Sequence, residues 1–470
     1  MRYRIITFAI LGIILVGIGE WNLRSRKLDP LKSLNNFWLE FCVANSGDAV
    51  REPAVTLVRI NDDYDPLTIG GDAGAAAADG SVPSLSRLDF ATILGFTGKL
   101  NPKAVSFVPT PSFDDSNPLN QTDIVPLKDA ALQVPKMTLG TVVSSDAAPE
   151  NKLQGVAYPA LKVEGDASSI TPFTRTIQSP DPQLLANGEP AFTEVDSARA
   201  LRSEESIRIP LVAKQGEKVV PSLVLMSVAR LAGIGLEAIT VDLSKKQAQI
   251  QIGDQYTVPI AKDGSMNLPA YAGLKAAMTS EEINEKGEKV ERFHFATLTV
   301  DELAYTGQQD DEVAKRILSE FQGKFDSVSR NLVMIGYDRK ADRRFPTAAG
   351  EMLSDASIFA RAVATIQSGR YIERWPTWGR WVAVLAIVII ALVVFRLSRG
   401  KVLVVGGISA LLFFALCVLL FRSTLTWTPP FVMFALFALI IVVGLIIPAG
   451  NSGAAKEESL DSDEADSLKS

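Results

Sequence analysis

The chain has 470 residues, 47% of them hydrophobic, with 47 Lys and Arg against 53 Asp and Glu and a formal net charge of -6. This negative charge argues against nucleic acid as a partner, and a single histidine, His294, argues against His-rich metal sites and Ser/His/Asp or Cys/His catalysis. The two cysteines, Cys42 and Cys417, cannot form a disulfide framework, so the fold must be stabilised by its hydrophobic core.

The N-terminus carries an uncharged apolar run over residues 5–19, preceded by Arg2 and Arg4. Such a run is either the core of a signal peptide or an uncleaved membrane anchor. The sequence has no small-x-small cleavage site after it, and Trp21 suits a membrane interface. The pattern therefore favours an N-terminal transmembrane anchor over residues 1–22.

The next part of the chain alternates strand and helix patterns. A helix is predicted over residues 34–44, and β-branched apolar runs predict strands over residues 54–60, 104–108 and 136–143. Helices are predicted between these strands over residues 84–98, with Ser84 or Ser86 as the N-cap, and 127–133. This alternation is typical of a parallel sheet covered by helices.

Periodicity fades over residues 144–205, where Pro, Asp, Ser and Gly accumulate, and this segment is predicted to be an irregular insertion. Further strands are predicted over residues 207–212, 238–243, 247–252, 256–260 and 331–336, and the middle three form an antiparallel meander. Helices are predicted over residues 222–231, 301–305, 311–325 and 356–367. Together these elements predict one α/β domain over residues 23–375, built on a mixed, largely parallel sheet.

Three apolar segments, residues 381–395, 402–421 and 431–448, follow in close succession. In hydrocarbon every backbone polar group must be satisfied internally, so runs approaching ~20 apolar residues predict membrane-spanning helices. With the N-terminal anchor they make four transmembrane helices, three of them over residues 376–449. Trp375, Trp378 and Trp381 are expected at the membrane interface. Residues 450–470 are predicted to be an acidic disordered tail.

Basic residues in short loops predict orientation. Arg396, Arg399 and Lys401 crowd the link between the second and third predicted spans, whereas the next link has only Arg422. Positive residues in short loops favour the cytoplasm. This places the large domain outside the cytoplasmic membrane and the tail inside.

Acidic residues follow two predicted strands. Asp62 and Asp63 come after the first strand, and Asp114 and Asp115 come after the second. Ligands of open α/β sheets bind at the carboxyl ends of strands, so these four aspartates are the candidate ligand-binding residues. Asp is also suited to turns and helix caps, which is the reading favoured for Asp62 and Asp63. No catalytic residue, metal ligand or cofactor is predicted.

Two further polar features have a functional and a structural interpretation. Asp338, Arg339, Asp342, Arg343 and Arg344 follow the last predicted strand and form either an anion site or a solvated loop of mixed charge, the latter being favoured. His294 alternates with Phe293 and Phe295, which favours a strand residue over a proton switch.

Short motifs in a fixed order resemble the second type of CHASE domain, an extracytoplasmic sensor of bacterial histidine kinases and nucleotide cyclases. They are Ile60-Asn61-Asp62-Asp63, residues 103–108 with Phe113-Asp114-Asp115, Ile209-Pro210-Leu211 with Pro221-Ser222-Leu223, residues 258–264, residues 321–325 with 331–336, and Gly369-Arg370-Tyr371. The resemblance covers nearly the whole chain and implies one helix before the sensor and three after it. Such sensors pass their signal to a cytoplasmic output domain, and here the last apolar segment is followed only by the acidic tail.

Two functions are consistent with these patterns. In the first, a multi-pass protein of the bacterial inner membrane senses an envelope signal and relays it to separate membrane or cytoplasmic partner proteins. In the second, the domain is an interaction module of a structural or scaffolding subunit in an envelope assembly. Both include the lipid bilayer as a partner and are compatible with a homo-oligomer. No nucleophile–base pair, metal cluster or phosphate loop predicts an enzyme.

Overall fold

The computed structural model describes residues 2–25, 34, 37–39, 41–42, 53–64, 85–113, 124–135, 137–145, 156–195, 206–245, 247–269, 278–283, 289–307, 312–320, 322–340, 342, 344–346, 352–427 and 430–447. The chain divides into a helical unit, Met1–Gly47 with Ile372–Ser470, and an α/β unit, Asp48–Tyr371.

The helices and strands have the following bounds. The helices are α1 (Arg2–Ser25), α2 (Arg87–Lys99), α3 (Ile124–Leu132), α4 (Leu223–Ala232), α5 (Val300–Ala304), α6 (Glu312–Glu320), α7 (Gln322–Val328), α8 (Asp355–Ser368), α9 (Thr377–Val394), α10 (Arg399–Thr424) and α11 (Phe431–Ile446). The strands are β1 (Val55–Ile60), β2 (Ala104–Phe107), β3 (Met137–Ser144), β4 (Lys162–Glu164), β5 (Pro172–Phe173), β6 (Arg175–Gln178), β7 (Gly188–Val195), β8 (Ser206–Pro210), β9 (Val212–Gln215), β10 (Lys218–Pro221), β11 (Ile239–Asp242), β12 (Gln249–Ile252), β13 (Tyr256–Pro259), β14 (Ser265–Pro269), β15 (Met278–Ile283), β16 (Lys289–Thr299), β17 (Leu332–Tyr337), β18 (Arg344–Pro346), β19 (Met352–Ser354), β20 (Glu373–Arg374) and β21 (Thr426–Trp427).

The α/β unit is organised around an eight-stranded sheet in the order β15-β16-β1-β17-β2-β3-β6, with β7 also paired to β3. Each neighbouring pair from β16 to β3 is parallel, as is β3 with β7. β15 and β6 pair antiparallel with β16 and β3. The predicted α/β class and largely parallel sheet are therefore confirmed.

Both faces of the sheet are buried, which explains why β1 reads as a nearly continuous apolar run. Val58 and Ile60 belong to a core that includes residues of α2, α3, α5 and α7. Leu57 and Met334 belong to a second core that includes residues of α4 and α8. The sheet therefore forms the middle layer between two layers of helices.

Helix ends follow local capping chemistry. Ser86 caps α2 and forms a capping box with Asp89, which confirms one of the two serines predicted there. Ser222 caps α4 and Ser354 caps α8. Both of these helices end at a glycine with positive φ, Gly233 at 70° and Gly369 at 67°, as left-handed C-terminal caps require.

Several segments differ from the sequence expectations. The segment 144–205, expected to be irregular, contains β4 to β7, and β7 joins the main sheet beside β3. The predicted strand 207–212 is two strands, β8 and β9, because the chain turns at Leu211, whose N–H donates to Gly264 O at 3.0 Å. β16, the parallel neighbour of β1, was not predicted as a strand, although residue 294 lies within it as expected. The meander β11-β12-β13 is confirmed as antiparallel.

In the helical unit, α1, α9, α10 and α11 share one apolar core that includes Phe8, Ile387, Val402, Phe437 and Ile440. Among the described residues, two helices are long and apolar enough to cross a membrane: Arg2–Gly19 within α1 and the whole of α10, with mean hydropathies of 1.7 and 2.8. Residues 378–394 of α9 and α11 are apolar but shorter.

Arg4 joins three helix ends in this unit. Its side chain is completely buried, Nε donates to Ile447 O at 2.7 Å, and Nη1 donates to Phe395 O at 3.1 Å and Leu397 O at 3.2 Å. These carbonyls follow the last turns of α9 and α11, where helices leave acceptors unsatisfied. The start of α1 therefore lies beside the ends of α9 and α11.

Gly140 provides a test of sheet packing. A Cβ at this position of β3 would collide with Val108 O and lie 2.6 Å from Phe107 O, whereas a Cβ at Gly95 in α2 would meet nothing within 4 Å. We expect Gly140→Ala to destabilise the α/β unit by about 2 kcal/mol through overpacking. Gly95→Ala should stabilise it by up to about 1 kcal/mol. Hydrogen exchange of the β2 and β3 amides measures both, and equal exchange in the two variants would contradict this packing.

Arg4→Met tests the contact between helix ends. Removing three charge-assisted hydrogen bonds and leaving their carbonyls without a donor should destabilise the helical unit by about 3 kcal/mol. All six tryptophans belong to this unit, so their fluorescence during thermal unfolding reports on it selectively. Arg2→Met is the matched control because Arg2 is exposed. Equal unfolding temperatures for the two variants would show that Arg4 does not hold the helices together.

Candidate functional site

The main sheet opens at its carboxyl edge. β2 ends at Phe107, whereas its neighbour β3 continues to Ser144. β6 pairs with this last part of β3, where Val142 lies opposite Gln178. A crevice of about 420 Å³ lies here. It is lined by Leu85, Phe90, Val108, Pro109, Thr110, Ser112, Val142, Gln178, Thr193, Tyr337, Arg339, Asp342, Asp355, Ala356 and Phe359. Carboxyl-edge crevices are where open α/β sheets bind ligands, and this volume is within the range of small-molecule sites.

Aromatic side chains on three different elements form the apolar part of the wall. They are Phe90 of α2, Tyr337 at the end of β17 and Phe359 of α8. Phe90 is fixed by ring contacts with Phe107 at 5.4 Å and Phe113 at 5.2 Å between centroids. A wall built from helices and strands holds its shape better than one built from loops alone.

A buried carboxylate positions the start of α2 beside the crevice. Asp89 is completely buried, accepts from Ser86 N at 2.8 Å and from Ser86 Oγ at 2.6 Å, and accepts from Tyr64 Oη at 2.9 Å. Three donors compensate the desolvation of this charge. The capping box thereby also orients Phe90, the next residue.

Arg339 and Asp342 bring a charged pair to the crevice. Arg339 Nη2 donates to Asp342 Oδ1 at 3.0 Å, and Arg339 Nε lies 3.2 Å from both carboxylate oxygens. The guanidinium also lies over the Tyr337 ring at 4.0 Å from its centroid. Burial raises the pKa of Tyr337, while Arg339 acts in the opposite direction. The charge of Arg339 is therefore compensated within the protein.

The rest of this loop is held by a second ion-paired network. Asp338 pairs with Arg344 at 3.1 Å and with Arg59 at 3.3 Å. Arg344 Nη2 also donates to the carbonyls of Asp338 and Arg339 at 3.0 and 3.1 Å. In the loop predicted to be solvated and of mixed charge, Arg339 and Arg344 therefore have protein partners, and Arg343 lies outside the described residues.

Uncharged polar groups complete the lining: Thr110, Ser112, Gln178 and Thr193. Thr110 Oγ1 is enclosed and has no hydrogen-bond partner in the described part of the protein. A hydroxyl in this state is unfavourable unless a ligand or water bonds to it. Sequence reasoning missed these residues because no motif marks them and two of them lie in the segment expected to be irregular.

Asp62 and Asp63, two of the four aspartates predicted from the sequence, lie at the carboxyl edge of the sheet. Asp62 is exposed and accepts from the backbone N–H of Lys340 at 3.1 and 3.2 Å, so it connects the loops after β1 and β17. Asp63 accepts from Asn61 Nδ2 at 2.9 Å. Neither lines the crevice, and Asp114 and Asp115 lie outside the described residues. Their shared binding site therefore stays a prediction.

No group of three or more His, Cys, Asp or Glu suitable for a metal ion occurs among the residues that the structure describes. No protein-family profile, no curated protein and no solved structure matches this chain.

We expect Asp301 of α5 to make the folding stability of the α/β unit depend on pH. Burial first, and then the neighbouring charge of Asp63, raises the pKa of Asp301 above its usual 3.8. The folded state therefore binds the proton of the Asp301 carboxyl more tightly than the unfolded state does. The contribution of this protonation to folding stability is fully present below pH 3.8 and is lost as the pH rises through the pKa of the folded state.

Asp301→Asn removes this charge. We expect the variant to unfold at a higher temperature than the wild type at pH 7, and the difference to disappear below about pH 4. Circular dichroism melts across this pH range measure both. Asp326→Asn, at an exposed position of α7, is the control and should change little. A pH-independent difference for Asp301→Asn would contradict the electrostatic cause.

Proposed function

We propose that this chain is a multi-pass membrane protein whose α/β unit binds a small molecule in the crevice and relays the bound state to separate partner proteins. One observation carries the proposal: the crevice wall includes α8, the element that leads the chain into the helical unit. Asp355, Ala356 and Phe359 of α8 line the crevice, and residues 369–376 connect the end of α8 to the start of α9. A ligand in the crevice therefore contacts the element through which a change would have to pass along the chain.

The helical unit supports placement in a membrane. Exposed aliphatic residues lie along its helices: Ile6, Ile10, Ile13 and Ile14 on α1, Val382, Leu385 and Ile389 on α9, Leu403, Leu411, Leu412 and Leu419 on α10, and Val442 and Ile446 on α11. A soluble protein rarely exposes so large an apolar surface. At 1.5 Å per residue the 18 residues of α9 and 16 residues of α11 reach about 27 and 24 Å, close to the ~30 Å hydrocarbon core. We therefore propose four spans.

The charge distribution supports an extracytoplasmic α/β unit. Because Arg4 contacts the carbonyls of Phe395 and Leu397, the start of α1 and the α9–α10 link lie at one end of the helical unit. That end carries Arg2, Arg4, Arg396, Arg399 and Lys401. The short link between α9 and α10 carries Arg396, Arg399 and Lys401, whereas the link between α10 and α11 carries only Arg422, and basic residues in short loops favour the cytoplasmic side of a bacterial inner membrane. The chain enters α9 from the opposite end, so the α/β unit belongs on the outer side.

A sensory role extends the resemblance to CHASE domains of the second type. A sensor requires at least two arrangements that the ligand stabilises differently. α8 is the candidate relay element, since its N-terminal turn lines the crevice and the chain continues from its other end to the proposed spans. The alternative, a structural subunit of an envelope assembly, needs no ligand at this site. Ligand binding therefore discriminates between the two.

Thr110→Val provides the sharpest test. The variant removes a hydroxyl without an acceptor and keeps the shape of the side chain, so the unliganded protein should be as stable as the wild type or up to about 1 kcal/mol more stable. Thr138→Val is the matched control, because Thr138 Oγ1 is also enclosed without a partner and Thr138 is absent from the crevice lining.

The measurement is the thermal unfolding of the full chain in detergent with a panel of amino acids, polyamines, monosaccharides and nucleosides. We expect at least one compound of the panel to stabilise the wild type by about 3 kcal/mol when its concentration is 100 times its dissociation constant. It should stabilise Thr138→Val equally and Thr110→Val less. Stabilisation that is the same in both variants would place the ligand elsewhere, and no stabilisation by any compound would favour the structural subunit.

A further inference from the structure

Four of the cations at one end of the helical unit form a cluster: Arg4, Arg396, Arg399 and Lys401. Arg4 is completely buried, and the other three are exposed. None of the four forms an ion pair with a carboxylate of the described residues, in contrast to Arg339 and Arg344 in the α/β unit. A buried charge without a counter-ion is unfavourable, and more so in an apolar environment.

One nitrogen of the Arg4 guanidinium also donates no hydrogen bond to the described residues. Nε and Nη1 donate to three carbonyls, but Nη2 is enclosed and has no acceptor within the described part of the chain. Nη2 is bonded to the same carbon as Nη1, which contacts Phe395 O and Leu397 O. Nη2 is therefore held at the α9–α10 link, beside the first residues of α10.

The start of α10 presents further donors at the same place. Its N-cap, Ser398, makes no side-chain capping bond, and the first backbone N–H groups of a helix have no intrahelical acceptor. A Cβ at Gly400 would meet nothing within 4 Å, so the backbone of this turn is open. The helix dipole adds partial positive charge at this end. Arg399, whose Nη2 lies 3.5 Å from Ile446 O, and Lys401 flank the turn.

We propose that this cationic end binds the phosphate of an anionic membrane lipid. The phosphate supplies the counter-charge that Arg4, Arg399 and Lys401 lack, and the acyl chains lie along the apolar surface next to it. Leu403 and Val404, which are 54% and 57% exposed, follow Lys401 closely in sequence. Ile446, which is 70% exposed, has its carbonyl oxygen 3.5 Å from Arg399 Nη2. Basic groups beside apolar helices on the cytoplasmic side are suited to anionic headgroups. Two other occupants fit less well. Inorganic phosphate matches the charge of this end but not its apolar surface, and the acidic tail supplies carboxylates but no acyl chains.

This inference rests on the membrane placement proposed above but not on a ligand in the crevice. The test uses the full chain in zwitterionic detergent and follows thermal unfolding by tryptophan fluorescence. The added probes are dioleoyl phosphatidylglycerol, dioleoyl phosphatidylcholine and inorganic phosphate. We expect phosphatidylglycerol to raise the unfolding temperature by several degrees and the other two to leave it unchanged. An equal effect of phosphatidylcholine or of inorganic phosphate would overturn the proposal.

Variants locate the site. The double variant Arg399→Gln with Lys401→Gln should lose at least half of the phosphatidylglycerol shift. Arg422→Gln is the matched control, because Arg422 is exposed at the opposite end of α10, and it should keep the full shift. Equal shifts in both would overturn the proposal.

Two further measurements separate the other outcomes. Native mass spectrometry counts the phosphatidylglycerol molecules retained per chain, and the double variant should retain fewer than Arg422→Gln; equal retention would also overturn the proposal. Deletion of residues 451–470 should leave the lipid shift unchanged. A shift that appears only after this deletion would mean that the acidic tail occupies the cationic end of the full chain, and would overturn the proposal.

Discussion

The insertion of β17 between β1 and β2 is the constraint on which the α/β unit depends. β17 pairs in parallel with β1 from Val55 opposite Leu332 to Ile60 opposite Tyr337, and with β2 on its other side. Without it the sheet would be divided, because β1 and β2 do not pair with each other. The same pairing brings Tyr337, Arg339 and Asp342 to the carboxyl edge beside Thr110 and Phe90. The lining of the crevice is therefore complete only when β17 is in place in the sheet.

The two units differ in whether their cationic side chains have carboxylate partners among the described residues. At the crevice, Arg339 is bonded to Asp342, and Arg344 and Arg59 are bonded to Asp338, so little net field remains for an anion. With Asp355 also in the lining, the crevice is suited to an uncharged or cationic small molecule with an apolar part that packs on the aromatic walls. At the end of the helical unit, Arg4, Arg399 and Lys401 have no carboxylate partner among the described residues, and a phosphate is the matching chemistry.

Close packing in the helical unit also depends on a small residue. A Cβ at Gly19 would collide with Val432, whereas a Cβ at Gly12 would make only an ordinary contact with Leu436, so Gly19 lets α1 approach α11 closely. Small residues have this role between helices in membranes, where apolar surface alone does not drive association. Beyond the opposite end of α9, β20 pairs with β21, and Trp375 N donates to Trp427 O at 2.8 Å. The unit is therefore tied together at both ends.

The sequence by itself determined the elements that local chemistry controls. β-branched runs predicted β1, β2, β3 and β17 to within one or two residues, Ser84 or Ser86 was predicted as the N-cap of α2, and uninterrupted apolar stretches predicted α1, α9, α10 and α11. These signals are local, since strand propensity, capping and apolar length act over a few residues. Only the tertiary structure decided that β17 lies between β1 and β2, that β7 and β16 belong to the main sheet, that Thr110, Gln178 and Asp342 share a crevice, and that Arg4 is buried against two helix ends. These arrangements depend on contacts between residues far apart in the chain, for which a single sequence carries no periodicity or motif.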